Sequence, residues 1–189
     1  MLIETYGEKY QTATAAAAVA VPADTALGST GAEILEMVSC YAYDGMVFYR
    51  KGDLVNAAAS FAYGYGWLDA GCMLGFLSGT NSAGPDTITE KIPETLREHL
   101  SEKTERYQRM LTEASRSIVT LPDAETPMYP AAEKIQITAA TELARGNEIL
   151  LKHDEINALM HFSYGYGWLD CGVRSGLFGI TGDRHLFTI

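Results

Sequence analysis

The chain is short of the residues from which most metal centres, disulfide frameworks and nucleophilic sites are built. Its three cysteines, Cys40, Cys72 and Cys171, are scattered over 189 residues, form no C-x-x-C and sit among apolar neighbours. That pattern argues against a disulfide scaffold and fits buried free thiols in a reducing, cytoplasmic compartment. The four histidines, His99, His153, His161 and His185, show no metal-ligand spacing, and no H-E-x-x-H is present. Neither a phosphate-binding G-x-x-x-x-G-K-[ST] nor a G-x-S-x-G elbow occurs, so no metal, no cofactor and no catalytic residue is expected. The first residues, Met1 to Thr5, lack the basic start and apolar run of a signal peptide.

Positive charge is also scarce. Fourteen Lys and Arg stand against 24 Asp and Glu, a formal net charge of −10. Such a surface repels phosphate backbones and disfavours nucleic acid as a partner. Lys91, Arg97, Lys103, Arg106, Arg109 and Arg116 cluster in one segment, but Glu90, Glu94, Glu98, Glu102, Glu105 and Glu113 interleave with them. This reads as a solvated helix face, with Glu102/Arg106 and Glu105/Arg109 at ion-pair spacing. RNA association is the weakest functional reading.

Between Leu54 and Leu77 the only charge is Asp69, and the run is long enough to span a bilayer. It is built from Ala and Gly more than Leu and Ile, and it carries Asn56, Ser60 and two tyrosines. A helix buried inside a bundle, with no membrane contact, is the expectation.

The strongest feature is a repeat. KGDLVNAAASFAYGYGWLDAGCMLG (51–75) and KHDEINALMHFSYGYGWLDCGVRSG (152–176) share 14 of 25 positions at an offset of 101, including an unbroken YGYGWLD. Gly45 matches Gly146 at the same offset, and Glu8–Gln11 resembles Glu105–Gln108. Each copy reads as helix, Pro-containing loop, helix, tight turn, helix. The spacing predicts helices over 3–20, 30–50 and 93–119, and over 130–151, with two more beginning after Asp53 and Asp154 as N-caps. Thr87-x-x-Glu90 has the form of a capping box for the helix near 93, and Gly52 suits a helix C-terminus. Ser78 to Pro85 reads as a linker. The expectation is an all-α fold of two tandem three-helix units, 1–79 and 86–180, with a tail at 181–189. The units would pack as a pseudo-twofold bundle.

The residues Tyr43-Asp44-Gly45, Phe48, Gly52-Asp53, Val55-Asn56-Ala57, Tyr63 and Gly66-Trp67-Leu68-Asp69-Ala70-Gly71 resemble the signature of the domain of unknown function 357 family. The second copy follows it through Asn157-Ala158, Tyr164 and Gly167-Trp168-Leu169-Asp170-Cys171-Gly172, with His153 in place of the turn glycine and Arg145 in place of Asp44. The resemblance implies three-helix bundles and an archaeal, cytoplasmic protein, and it implies no activity.

Glycine in a helix costs about 1 kcal/mol relative to alanine. Gly64, Gly66, Gly71 and Gly75 recur as Gly165, Gly167, Gly172 and Gly176, with Gly64, Gly71 and Gly75 on one stripe, which suggests close packing of the two third helices. Asp69 and Asp170 lie mid-helix among apolar residues and need partners if buried. They, with Asn56, Tyr63, Tyr65, Trp67, Asn157, Tyr164, Tyr166 and Trp168, are the candidate ligand or interface residues. The leading reading is a non-enzymatic binding or assembly module. It would be an intramolecular pseudo-dimer, monomeric or weakly dimeric, with an unknown protein partner. The alternative is a small-ligand or enzyme site between the units that uses Asp69, Asp170 and the Tyr/Trp cluster.

Overall fold

The computed structural model describes residues 1–79 and 84–188. It is an all-α fold of two equivalent units. The first contains α1 (Ile3–Ala16), strand β1 (Ala18–Val19), α2 (Ala26–Arg50), α3 (Leu54–Met73) and strand β2 (Leu77–Ser78). The second contains α4 (Arg97–Arg116), β3 (Ile118–Thr120), α5 (Met128–Leu150), α6 (Glu155–Arg174) and β4 (Phe178–Ile180). A 3-10 turn at Glu94–Leu96 precedes α4, and another at Arg184–Leu186 follows β4.

Local chemistry sets the starts of the two central helices. The Asp53 carboxylate accepts from the Asn56 backbone N–H at 3.0 Å, and Asp154 accepts from that of Asn157 at 3.3 Å. Each satisfies a donor that the first helical turn leaves unpaired. The turn before Asp53 is made by Gly52 at φ +77°, and its counterpart by His153 at φ +61°.

Three expectations change. The Ala-rich first helix ends at Ala16, short of residue 20, and α4 ends at Arg116, short of 119. The residues beyond them form antiparallel ribbons, pairing Val19 with Leu77 and Val119 with Gly179. These strands are two or three residues long, too short for alternation to register. Second, Glu90 does not box-cap the helix near 93. Its carboxylate accepts the Ile3 backbone N–H of α1 at 2.8 Å, so the connecting segment caps the first unit. Third, Cys40 is exposed and Cys72 half-buried; only Cys171 is fully enclosed. Thr80, Asn81, Ser82 and Ala83 of the linker lie outside the described residues.

α3 and α6 form the centre. They pack on each other, α1 and α2 pack on α3, and α4 and α5 pack on α6. Covered on several sides, α3 buries Val55 and every residue from Ala57 to Gly71. Its absence of a polar face is thus a consequence of position. Among the described residues no helix is long and apolar enough to cross a membrane. On the charged face of α4, Arg106 meets Glu102 at 3.5 Å and Arg97 meets Glu94 at 2.7 Å.

Candidate functional site

The candidate residues converge where α3 crosses α6. A Cβ added to Gly66 would fall 2.3 Å from the Tyr164 carbonyl oxygen and 3.1 Å from the Gly167 Cα. One added to Gly167 would fall 2.2 Å from the Tyr63 carbonyl oxygen. The two helices therefore touch backbone to backbone, through a glycine pair outside the stripe expected to do so. Gly64 faces Tyr10 and Tyr41, and Gly165 faces Glu142 and Leu111. Gly71 faces Ile34 and Leu77, and Gly172 faces Phe178 and Ile135. These four admit neighbours inside their own unit. Gly75 and Gly176 have nothing within 4 Å of a would-be Cβ; at φ +78° and +76° they end the central helices. The wheel projection misled because it finds faces without saying which neighbour each face meets.

Either side of the crossing, the units exchange hydrogen bonds. The Tyr164 hydroxyl donates to Asp69 Oδ2 at 2.7 Å, and the Tyr63 hydroxyl donates to Asp170 Oδ2. The pairing is reciprocal, each unit giving one tyrosine and one aspartate. Asp69 is 1% exposed and Asp170 0%. A buried carboxylate needs such a donor, because it has lost its water. Asp170 receives a second, the Thr188 backbone N–H at 3.3 Å, so the chain after β4 lies over it. Burial still pushes its carboxyl up to about 6, with the Tyr63 and Thr188 bonds pulling the other way. Burial drives the Tyr63 phenol well above its ordinary range, so it stays a donor. Each aspartate accepts from a tyrosine of the other unit.

One side of this arrangement opens onto a cleft of about 330 Å³, lined by Asp69, Met73, Ile137, Tyr164 and Trp168 with Lys134, Thr138, Thr141, Glu142 and Arg145 of α5. Glu142 is 3% exposed. Its Oε2 lies 2.6 Å from His161 Nδ1, and its Oε1 accepts from Arg145 Nη1 at 3.2 Å. Both oxygens of that buried carboxylate are thereby covered. Among the described residues no group of three or more His, Cys, Asp or Glu side chains is placed to hold a metal ion.

The family described as protein of unknown function (DUF357) matches the chain twice, over residues 5–77 and 106–178. The chain belongs to the DUF357 family. No curated protein and no solved structure matches it. Each DUF357 match spans one three-helix unit, from within its first helix to its last strand. The reciprocal Tyr–Asp bonds thus join one DUF357 copy to the other.

The remaining candidates divide between the copies. Tyr65 packs against Tyr6 and Tyr10 at ring-centroid distances of 5.4 and 4.6 Å, inside the first DUF357 copy. Tyr166 packs against Tyr107 at 6.3 Å in its own copy and against Tyr63 of the other at 5.7 Å, and its hydroxyl donates to the Leu186 carbonyl. Trp67 and Trp168 are buried, and neither indole N–H has an acceptor among the described residues. Asn157 uses both ends of its amide on Ile88, accepting from its N–H at 2.7 Å and donating to its carbonyl at 2.9 Å. It pins the segment between the DUF357 copies like an added strand residue. Asn56 instead accepts from the Lys103 ammonium, which reaches it from α4. Glu142 and Arg145 were missed as site residues. The signal was present in the repeat, since aligning the copies sets Glu142 against Tyr41 and Arg145 against Asp44.

Proposed function

We propose that this DUF357 chain is a non-enzymatic helical binding and assembly module, whose two copies form a rigid intramolecular pseudo-dimer working in the cytoplasm. The reciprocal pairing of Tyr63 with Asp170 and of Tyr164 with Asp69 carries the reading. The two aspartates are buried and accept the bonds that join the copies. The outer faces are then what the molecule offers to a protein partner. Leu27 and Met128, equivalent positions at the starts of α2 and α5, are both exposed, at 57% and 44%. An apolar side chain presented twice about one axis supports a contact surface used symmetrically. The free thiols support a reducing compartment.

The test uses variants of the central pairs and of the surface. D69N and Y164F should lower thermal stability. L27D/M128D should leave stability unchanged but abolish retention of the partner that the wild-type chain recovers from native extract. The reading fails if a metabolite's thermal-shift signal disappears in D69N or D170N while the melting temperature of the unliganded variant stays at the wild-type value. That result would make the aspartates ligand-binding groups.

A further inference from the structure

The two units solve the same packing problem differently, and the difference points to a ligand. In the first, Tyr41 on α2 meets Tyr63 edge-on, with ring centroids 4.6 Å apart. At the equivalent place in the second, Glu142 replaces that tyrosine and leaves the cleft. The cost of burying the Glu142 carboxylate is offset by His161 and Arg145, and Glu142 lines the cleft.

Charge at the rim is reversed between the copies as well. Lys134 and Arg145 stand where the first unit has Glu33 and Asp44. Glu33 is engaged by Arg174 at 2.8 Å, whereas Lys134 has no ion pair among the described residues. Arg145 spends only Nη1 on Glu142, with a side chain 56% exposed. The carboxylate oxygens seen from the cleft already receive donors: Asp69 Oδ2 from Tyr164, and Glu142 from His161 and Arg145. The Lys134 ammonium and the rest of the Arg145 guanidinium keep N–H donors that no ion pair takes among the described residues. Beside them Trp168, Met73 and Ile137 make an apolar wall. Trp168, at the cleft's edge, also keeps its indole N–H without an acceptor among the described residues.

We propose that this cleft, where α5 and α6 meet the end of α3, binds a small organic oxyanion, a carboxylate or phosphate monoester carrying a ring-sized apolar body. Lys134 holds the anionic group, and the body lies toward Trp168. The volume, at the small end for ligand pockets, suits one ring. Arg145, about three turns further along α5 and about 16 Å away along its axis, adds positive field to the cleft rather than a second contact. This site is independent of the module reading, which rests on the Tyr–Asp pairs.

The test is titration of the full chain with benzoate, phenyl phosphate, benzamide and benzylamine, following the indole N–H resonances by NMR, with W168F to assign them. Saturable binding of benzoate or phenyl phosphate that shifts the Trp168 resonance is expected, and the tighter of the two identifies the headgroup. The variant K134Q/R145Q should weaken it at least tenfold, and added salt should weaken it too. K134Q alone serves if loss of Arg145 disturbs Glu142, and it should weaken binding severalfold. D69N should leave binding intact or tighten it. The proposal is overturned if neither anion saturates, if benzylamine or benzamide binds as well as the anions, or if K134Q and K134Q/R145Q bind like wild type. None of those outcomes would touch the module reading, which fails only on its own test.

Discussion

Gly66 and Gly167 meet at the crossing of α3 and α6, each so near the other helix that a Cβ on either would lie 2.2 to 2.3 Å from a carbonyl oxygen. Backbone cannot move aside as a side-chain tip can. G66A or G167A should therefore cost about 3 kcal/mol, the upper range for overpacking. G71A presses only on the Ile34 and Leu77 side chains and should cost less. Denaturant melts of the three variants check the order; G71A being the most damaging would contradict the assignment of the seam.

The reciprocal hydrogen bonds should be measurable as couplings. Y164F leaves a buried carboxylate without its tyrosine donor and is expected to cost about 1–3 kcal/mol. Y63F removes the matching bond to Asp170 and is expected to cost stability in the same range. A double-mutant cycle of Y164F with D69N should return a coupling of about 1 kcal/mol or more. Additive effects would show that the bond contributes nothing to holding the units together.

Asp170 gives stability a pH dependence of defined sign. Burial raises its carboxyl from 3.8 to about 6 in the folded chain, so the folded state holds the proton more tightly than the unfolded one. The associated stabilisation is full below about pH 3.8 and is lost as pH rises through about 6. The loss is about 3 kcal/mol. D170N cannot titrate. Unfolding free energies of wild type and D170N between pH 4 and 7 should therefore change relative to each other by about that amount, with D170N gaining at the higher pH. Parallel profiles would place the titration elsewhere.

His153 sits at φ +61°, where Gly52 makes the same turn in the first unit. A side chain in the left-handed region costs roughly 1–2 kcal/mol. H153G should raise the melting temperature by a few degrees, and G52A should lower it. No change in H153G would mean that the imidazole makes a compensating contact in solution.

Much of this architecture is written in local chemistry. The repeated YGYGWLD, the Asp53 and Asp154 caps and the largely apolar character of both third helices determine by themselves that two similar helical units exist and that these helices lie innermost. Capping, propensity and the demand to bury an apolar surface act within a few residues, so one sequence reveals them. Tertiary structure alone decided which glycines face which neighbour, that each aspartate takes its tyrosine from the other copy, and that Glu90 caps α1. It alone set Tyr41 against Tyr63 in one copy and Glu142 along a cleft in the other. These depend on distances between segments some 20 to 107 positions apart, and helical periodicity gives the direction of a side chain but not the identity of the atom waiting there.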